Sequence, residues 1–448
     1  MVSADNLNLD CLEHIFAYLY GNDLVSVSLV SRSFLAGVVP RLYRSLIFKL
    51  NQAKRYPAIL SPFASVLRHP SLATHVRHID IRTVPSNRSI IHPEFMRDCA
   101  RTVDICDNLV SFTCTPSVLP SFLLNLQSKH SLQHLRASAN LTHDQAEHLA
   151  KIKGLKSITL DAGSLYAVDI LPKWVTGLKT TLTSLALYSV HELNESILES
   201  VLINLPLLTG LHVVNCSKVD HNTVLRLTSY TPDLRSLSFT SWDSPRAMAA
   251  SSIISGITAP LRRLRHLTID SHCSLSPTAM PGLWTSLIQQ TRMWSSPLRS
   301  ITLKLTDKLL IADSFIHQLL DSHTLLNCSL SLDSIRNICR RCPELERFAV
   351  SIPVKDIYSF AEALSKSTSL HTLSDVTDAH SSHGARVTIS KPDIRTIMEI
   401  VSNLRRVITD ERVWTAEKRK HGGLRLELKR KTSPPAHWFM PPSKSQQY

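Results

Sequence analysis

The chain reads as an α/β protein: a small all-helical N-terminal domain, then an irregular solenoid with parallel strands on its concave side and helices on its convex side. Three observations predict this. Apolar residues in Leu7–Phe48 fall into three short helical patterns. From about residue 70 a phrase, apolar-x-x-apolar-x-apolar, recurs down the chain. The 448 residues are 43% hydrophobic and 19% charged, a balance that folds rather than staying disordered. The implied boundaries are a helical domain at 1–50, a linker at 51–70, the solenoid at 71–415 and a basic, Pro-rich tail at 416–448.

The helical domain comes first. Leu9, Leu12, Ile15, Phe16 and Leu19 share one face of a first helix, with Cys11, Ala17 and Tyr18 adding apolar surface beyond it. Asp23 is placed to cap a second helix, Leu24–Val30. Ser31 or Ser33 starts a third, carrying Phe34, Leu35, Val38, Val39, Leu42 and Tyr43, which Pro40 should interrupt or kink. Three helices this short and this apolar cannot bury one another completely. The excess predicts a docking surface, or a helical cap on the repeats.

The repeats follow. The phrase occurs as Val76/Ile79/Ile81, Leu109/Phe112/Cys114, Leu132/Leu135/Ala137, Leu155/Ile158/Leu160, Leu182/Leu185/Leu187, Leu208/Leu211/Val213, Leu234/Leu237/Phe239, Leu264/Leu267/Ile269, Leu298/Ile301/Leu303, weakly as Leu325/Cys328/Leu330, and as Leu345/Phe348/Val350. Between residues 132 and 234 its steps are 23, 27, 26 and 26 residues. Its last two positions lie two apart, so a short strand points both inward. Helical stretches such as Ile197–Leu205 and Asn222–Tyr230 lie between phrases, and stacked strand–helix units bury one continuous core. A generic α/β fold is the alternative. In a solenoid, residues flanking the inward pair face the concave side. That geometry nominates His212, Ser236, Ser238, Arg265, His266, Thr268, Ser300, Thr302 and Lys304 as a substrate surface.

Two resemblances sharpen this. Leu7-Asn8-Leu9-Asp10-Cys11-Leu12-Glu13-His14-Ile15-Phe16-Ala17-Tyr18-Leu19 resembles the first helix of an F-box. Asn22-Asp23-Leu24, Val27–Phe34 and Leu42-Tyr43-Arg44-Ser45-Leu46-Ile47-Phe48 resemble its second segment and its exit. The family usually begins Leu-Pro; Asn8 here gives up that rigid helix start. Leu208–Cys216, Val219–Leu227 and Thr231–Leu237 resemble cysteine-containing leucine-rich repeats, whose period is about 20–29 residues. Together they resemble an F-box protein with degenerate leucine-rich repeats, of the fungal type. The resemblance implies a non-enzymatic substrate-recognition adaptor of a cullin-RING (SCF-type) ubiquitin ligase, acting in ubiquitin-dependent protein degradation. The F-box would bind the cullin adaptor subunit through Leu7, Leu9, Leu12, Ile15, Phe16, Leu19, Leu24 and Val27. The repeats would bind a protein target, acidic or phosphorylated.

Other chemistry finds few residues to stand on. The sequence lacks GxxxxGK[ST], GxSxG and HExxH, and 11 glycines are well below the usual ~7%. Cys339-Arg-Arg-Cys342 has zinc or redox spacing but no second ligand pair, and reads as a half-buried repeat helix. No catalytic residue, cofactor or metal is expected. Nine irregularly spaced cysteines argue for reduced thiols. With no run of 18 apolar residues and no basic-then-apolar start, the expectation is a cytoplasmic or nuclear protein without a membrane partner.

The formal net charge is +14, which favours acidic partners. Residues 405–431 concentrate ten basic and four acidic side chains, a net of +6. Such a run reads as a solvated capping face, a nuclear import address or a nucleic-acid contact. Without an aromatic platform beside it, nucleic-acid binding has little support. Two alternatives to the ligase reading therefore stand: an interaction scaffold without ligase role, and a basic nucleic-acid-binding protein.

Overall fold

The structure is a computed structural model that describes residues 8–19, 22–87, 90–138, 140–242, 261–272, 300–305, 332–341, 347–350, 352–353, 356–375, 389–409, 412–418 and 424–430. The chain divides into two compact units, residues 1–208 and 209–448.

The first unit opens with three helices, α1 (Leu9–Phe16), α2 (Asn22–Ser28) and α3 (Arg32–Leu42). Ser31 caps α3, its hydroxyl accepting from the Phe34 N–H at 3.2 Å. Asp23 is not a cap: α2 starts one residue earlier, leaving its carboxylate in the first turn, where it still favours the positive helix end. Nor does Pro40 stop its helix; α3 runs through it to Leu42. Only two helical residues follow the missing donor, so little of the ladder is lost. Leu12, Phe16, Leu24 and Val38 form the interior, with Leu19, Val27, Phe34 and Leu42 packed around it. Gly37 lets α3 seat on α1, since a Cβ there would lie 3.0 Å from the Phe16 ring and 3.1 Å from Leu12 Cβ.

The exit from α3 is the first strand of the repeat sheet. β1 (Ser45–Phe48) pairs in parallel with β2 (His78–Ile81), Leu46 beside Ile79 and Phe48 beside Ile81. The expected linker is structured: helices Leu50–Ala53 and Pro62–Arg68 occupy it. The reason is aromatic packing, because the Phe48, Phe63 and Phe95 rings lie 4.5–6.2 Å apart and bury the segment. After a short ladder between β3 (Ser86–Asn87) and β4 (Ile90–Ile91), the sheet continues through β5 (Ser111–Cys114), β6 (His134–Ser138), β7 (Ser157–Asp161) and β8 (Ser184–Tyr188). All are parallel and in chain order.

The phrase explains this register. Its middle residues, Ile79, Phe112, Leu135, Ile158 and Leu185, align across the strands and are buried. Where each strand begins, one carbonyl accepts from two amides of the next repeat. Arg44 O takes Arg77 and His78 N–H at 2.9 and 3.0 Å, and Gln133 O takes Lys156 and Ser157 N–H at 2.7 and 3.0 Å. Helices between strands carry their own caps, such as Thr142 on Gln145 and Asn194 on Ile197.

The second unit repeats the plan with β9 (Gly210–Val214), β10 (Ser236–Trp242), β11 (His266–His272) and β12 (Ser300–Leu305), again parallel. A second sheet holds parallel β13 (Arg347–Val350), β14 (Thr372–Asp375) and β15 (Arg406–Thr409), then antiparallel β16 (Arg412–Lys418) and β17 (Leu424–Arg430). The weak phrase at 325–330 lies outside the described residues. β14 and β15 follow Leu370-x-x-Leu373-x-Asp375 and Leu404-x-x-Val407-x-Thr409, whose polar last position hid them from the pattern. The tail boundary at 416 is also corrected. β16 runs through it because Trp414, 6% exposed, packs beside Val407 and Leu428, so much of the basic run is a hairpin.

Candidate docking surfaces

The helical domain sorts its apolar residues into two sets. Leu12, Phe16 and Leu24 are interior, so the expectation that they contact a partner is corrected: three short helices spend their largest residues on their own core. Leu19 and Val27 are half-buried against that core. Leu9 and Ile15 stay in water, 44% and 50% exposed. Leu7 lies outside the described residues. Tyr18, read from the sequence as extra apolar surface, is more than 80% exposed, and sequence reasoning missed Leu29, equally exposed, with Val25, Val30 and Leu35 as contact candidates. Their signal was present, since each breaks the stripe that Leu12, Phe16, Leu24 and Val38 define.

The nominated substrate surface is also rearranged. His212, Ser236, Ser238 and Thr268 are buried. Ser238 lies in register between His212 and Thr268. Neighbouring strands are only about 4.8 Å apart, so the larger side chains cover it. His212 Nδ1 and Ser238 Oγ share a hydrogen bond of 2.7 Å. These groups stiffen the sheet rather than display themselves. Arg265 is exposed and His266 half-buried. Ser300, Thr302 and Lys304 fall on β12 in register with β11; their side chains lie outside the described residues.

In the first unit the column one residue before each phrase's middle position, the counterpart of Ser236 and His266 and not of His212, Ser238 and Thr268, does reach solvent. Ser45, His78, Ser111, His134, Ser157 and Ser184 align across β1 to β8. Ser45 and His134 are exposed and the others half-buried. Burial, then the neighbouring Arg44, His134 and Arg77, pulls His78 below the usual imidazole range. Burial and Lys156 do the same to His134. The residue before each phrase's middle position could have revealed this column.

Among the described residues no group of three or more His, Cys, Asp or Glu could hold a metal ion, and no helix is long and apolar enough to cross a membrane. Cys339 is buried on the helix Leu332–Arg341, while Cys342 lies outside the described residues. Burial pushes the Cys106 and Cys114 thiols up to about 12 and Cys99 higher still, so these thiols stay protonated and unreactive.

Residues 5–36 match the F-box domain family, and this stretch is an F-box domain. No curated protein matches the chain in sequence. Among solved structures it is similar to the complex of Rad7 and Elc1 in yeast, at 14% identity over 86% of this chain and 96% of that one, with a TM-score of 0.43. It is also similar to the TLR13–ssRNA13 complex, at 13% identity over 78% of this chain and 47% of that one, with a TM-score of 0.32.

Proposed function

We propose that this chain is a non-enzymatic substrate-recognition adaptor of a cullin-RING ubiquitin ligase, its F-box binding the cullin adaptor subunit and its repeats binding the target. The setting is cytoplasmic or nuclear. One observation carries the reading. The F-box keeps a core of its own and still leaves Leu9, Ile15, Tyr18, Val25, Leu29, Val30 and Leu35 in water. Removing such a side chain from water is worth about 1.5–3 kcal/mol, so a partner that covers several of them binds stably. Of the contacts proposed from the sequence that the structure describes, Leu9 and Ile15 remain, with Leu19 and Val27 at their margin; Leu7 stays in the proposal.

The test is a direct binding measurement between the purified full chain and the cullin adaptor subunit. Micromolar or tighter binding, lost in Ile15→Asp with the melting temperature kept, is the expected result. No association at that concentration removes the proposal.

A further inference from the structure

We infer that the outward face of β1, β2, β5, β6 and β7 docks an extended acidic segment of a partner protein, an inference that rests on reading the repeats as the target-binding part. The first column of that face is Ser45, His78, Ser111, His134 and Ser157. Every side chain in it can donate a hydrogen bond, none is a carboxylate, and none is Phe, Tyr or Trp.

The rim one residue earlier adds Arg44, Arg77 and Lys156. Arg44 and Lys156 are exposed, and neither forms an ion pair with a described residue. The Arg77 guanidinium donates to the Thr74 and Val76 carbonyls at 2.8 and 3.4 Å, which anchors its charge at the rim. The next column is Ile47, Asp80, Thr113, Arg136 and Thr159. Its charges are already neutralised: Asp80 by Arg82 at 2.8 Å, and Arg136 by Asp161 at 2.6 Å. What remains on the face is a row of cations and donors. Burial lowers both imidazoles first, and the neighbouring charges, Arg44 and Arg77 at His78 and Lys156 at His134, lower them further.

Spacing selects the occupant. From β1 to β7 the column crosses four strand intervals of about 4.8 Å each, roughly 19 Å in total. Arg44 and Arg77 stand at one end and Lys156 at the other. One phosphate cannot reach both ends. An extended peptide covers about 3.3 Å per residue, so roughly six residues span the row and set a carboxylate at each end. A nucleic acid would also supply spaced charges, but the column offers its bases no aromatic platform.

The experiment uses the full chain and a fluorescein-labelled Glu decamer, read by anisotropy at about 50 mM salt, against a Gln decamer and a single-stranded RNA decamer. The Glu decamer is expected to bind, and the Gln decamer is not. Arg44→Glu with Lys156→Glu should weaken binding at least tenfold. Arg101→Glu with Lys151→Glu, which removes equal charge from the helical side, should change it by less than twofold. Arg44→Gln with Lys156→Gln, a milder pair, should lie between.

Equal losses from both reversals would mean a diffuse field and overturn the docking surface, as would tighter binding of RNA or no binding of the Glu decamer. Binding to the cullin adaptor subunit is measured on the same samples. It should survive Arg44→Glu with Lys156→Glu, so failure of the acidic dock and failure of the ligase reading give different results.

Discussion

The N-terminal helices and the strands β9–β11 depart from the oil-in, polar-out rule in opposite directions. The helices leave Ile15, Tyr18 and Leu29 in water, while the strands take His212, Ser238 and Thr268 inside. The helices are few and short, so their core is filled by Leu12, Phe16, Leu24 and Val38 and the remaining apolar residues have nothing to cover them. In β9–β11 the strands are close, so a small polar side chain such as Ser238, between His212 and Thr268 in register, loses its water. Exposed oil in one region marks a surface for a partner. Buried polarity in the other marks structure.

The comparison breaks first in α1. Phe16→Ala should cost about 3–5 kcal/mol of F-box stability, by loss of burial and a residual cavity, read by chemical denaturation. Ile15→Asp, one residue away, should leave stability within about 0.5 kcal/mol and abolish adaptor binding. Equal destabilisation by both would merge the two sets. Gly37→Ala should destabilise by about 1–3 kcal/mol, because the added methyl meets Phe16 and Leu12 at 3.0–3.1 Å; an unchanged melting temperature would show that α3 is free to shift.

The strand half is sharpened by paired alanines. His212→Ala removes the buried bond to Ser238 and should cost about 1–3 kcal/mol. His134→Ala, in the exposed column, should cost less than about 0.5 kcal/mol and weaken the Glu decamer instead. If both behave alike in thermal melts, exposure does not separate the two columns.

The smallest effect is in pH. His78 and His134 have folded pKa values below the ordinary 6.5, so the unfolded chain binds more protons as pH falls. Their contribution to stability is present above about 6.5 and is lost as pH falls through the lowered folded values. Denaturation at pH 7.5 and 5.5 should show a decrement that shrinks in the His78→Gln, His134→Gln double variant.

Much of this was legible in the residues. Every repeat phrase within the described residues marks a strand, and of the two serines nominated to start α3, Ser31 and Ser33, it is Ser31 that caps it. β14 and β15 were illegible because Asp375 and Thr409 close their phrases with polar groups. The hairpin β16–β17 was hidden because ten basic residues read as solvated tail before Trp414 could be seen anchoring it. Leu12 and Ile15 could not be told apart, since both lie on one apolar arc of a single helix.

Sequence alone determined the alternation of strand and helix in the repeats and their parallel sheet, because these rest on spacings of two and three to four residues and on apolar periodicity, which are local; the F-box showed itself through resemblance to that family's segments. Only the tertiary structure decided which apolar residues face water, which polar ones lose it, and where positive charge stands without an ion pair among the described residues. In the sheet each of those depends on a neighbour that arrives from well along the chain, 33 residues for His78 and Ser111 and 23 for His134 and Ser157, and no local pattern encodes its size.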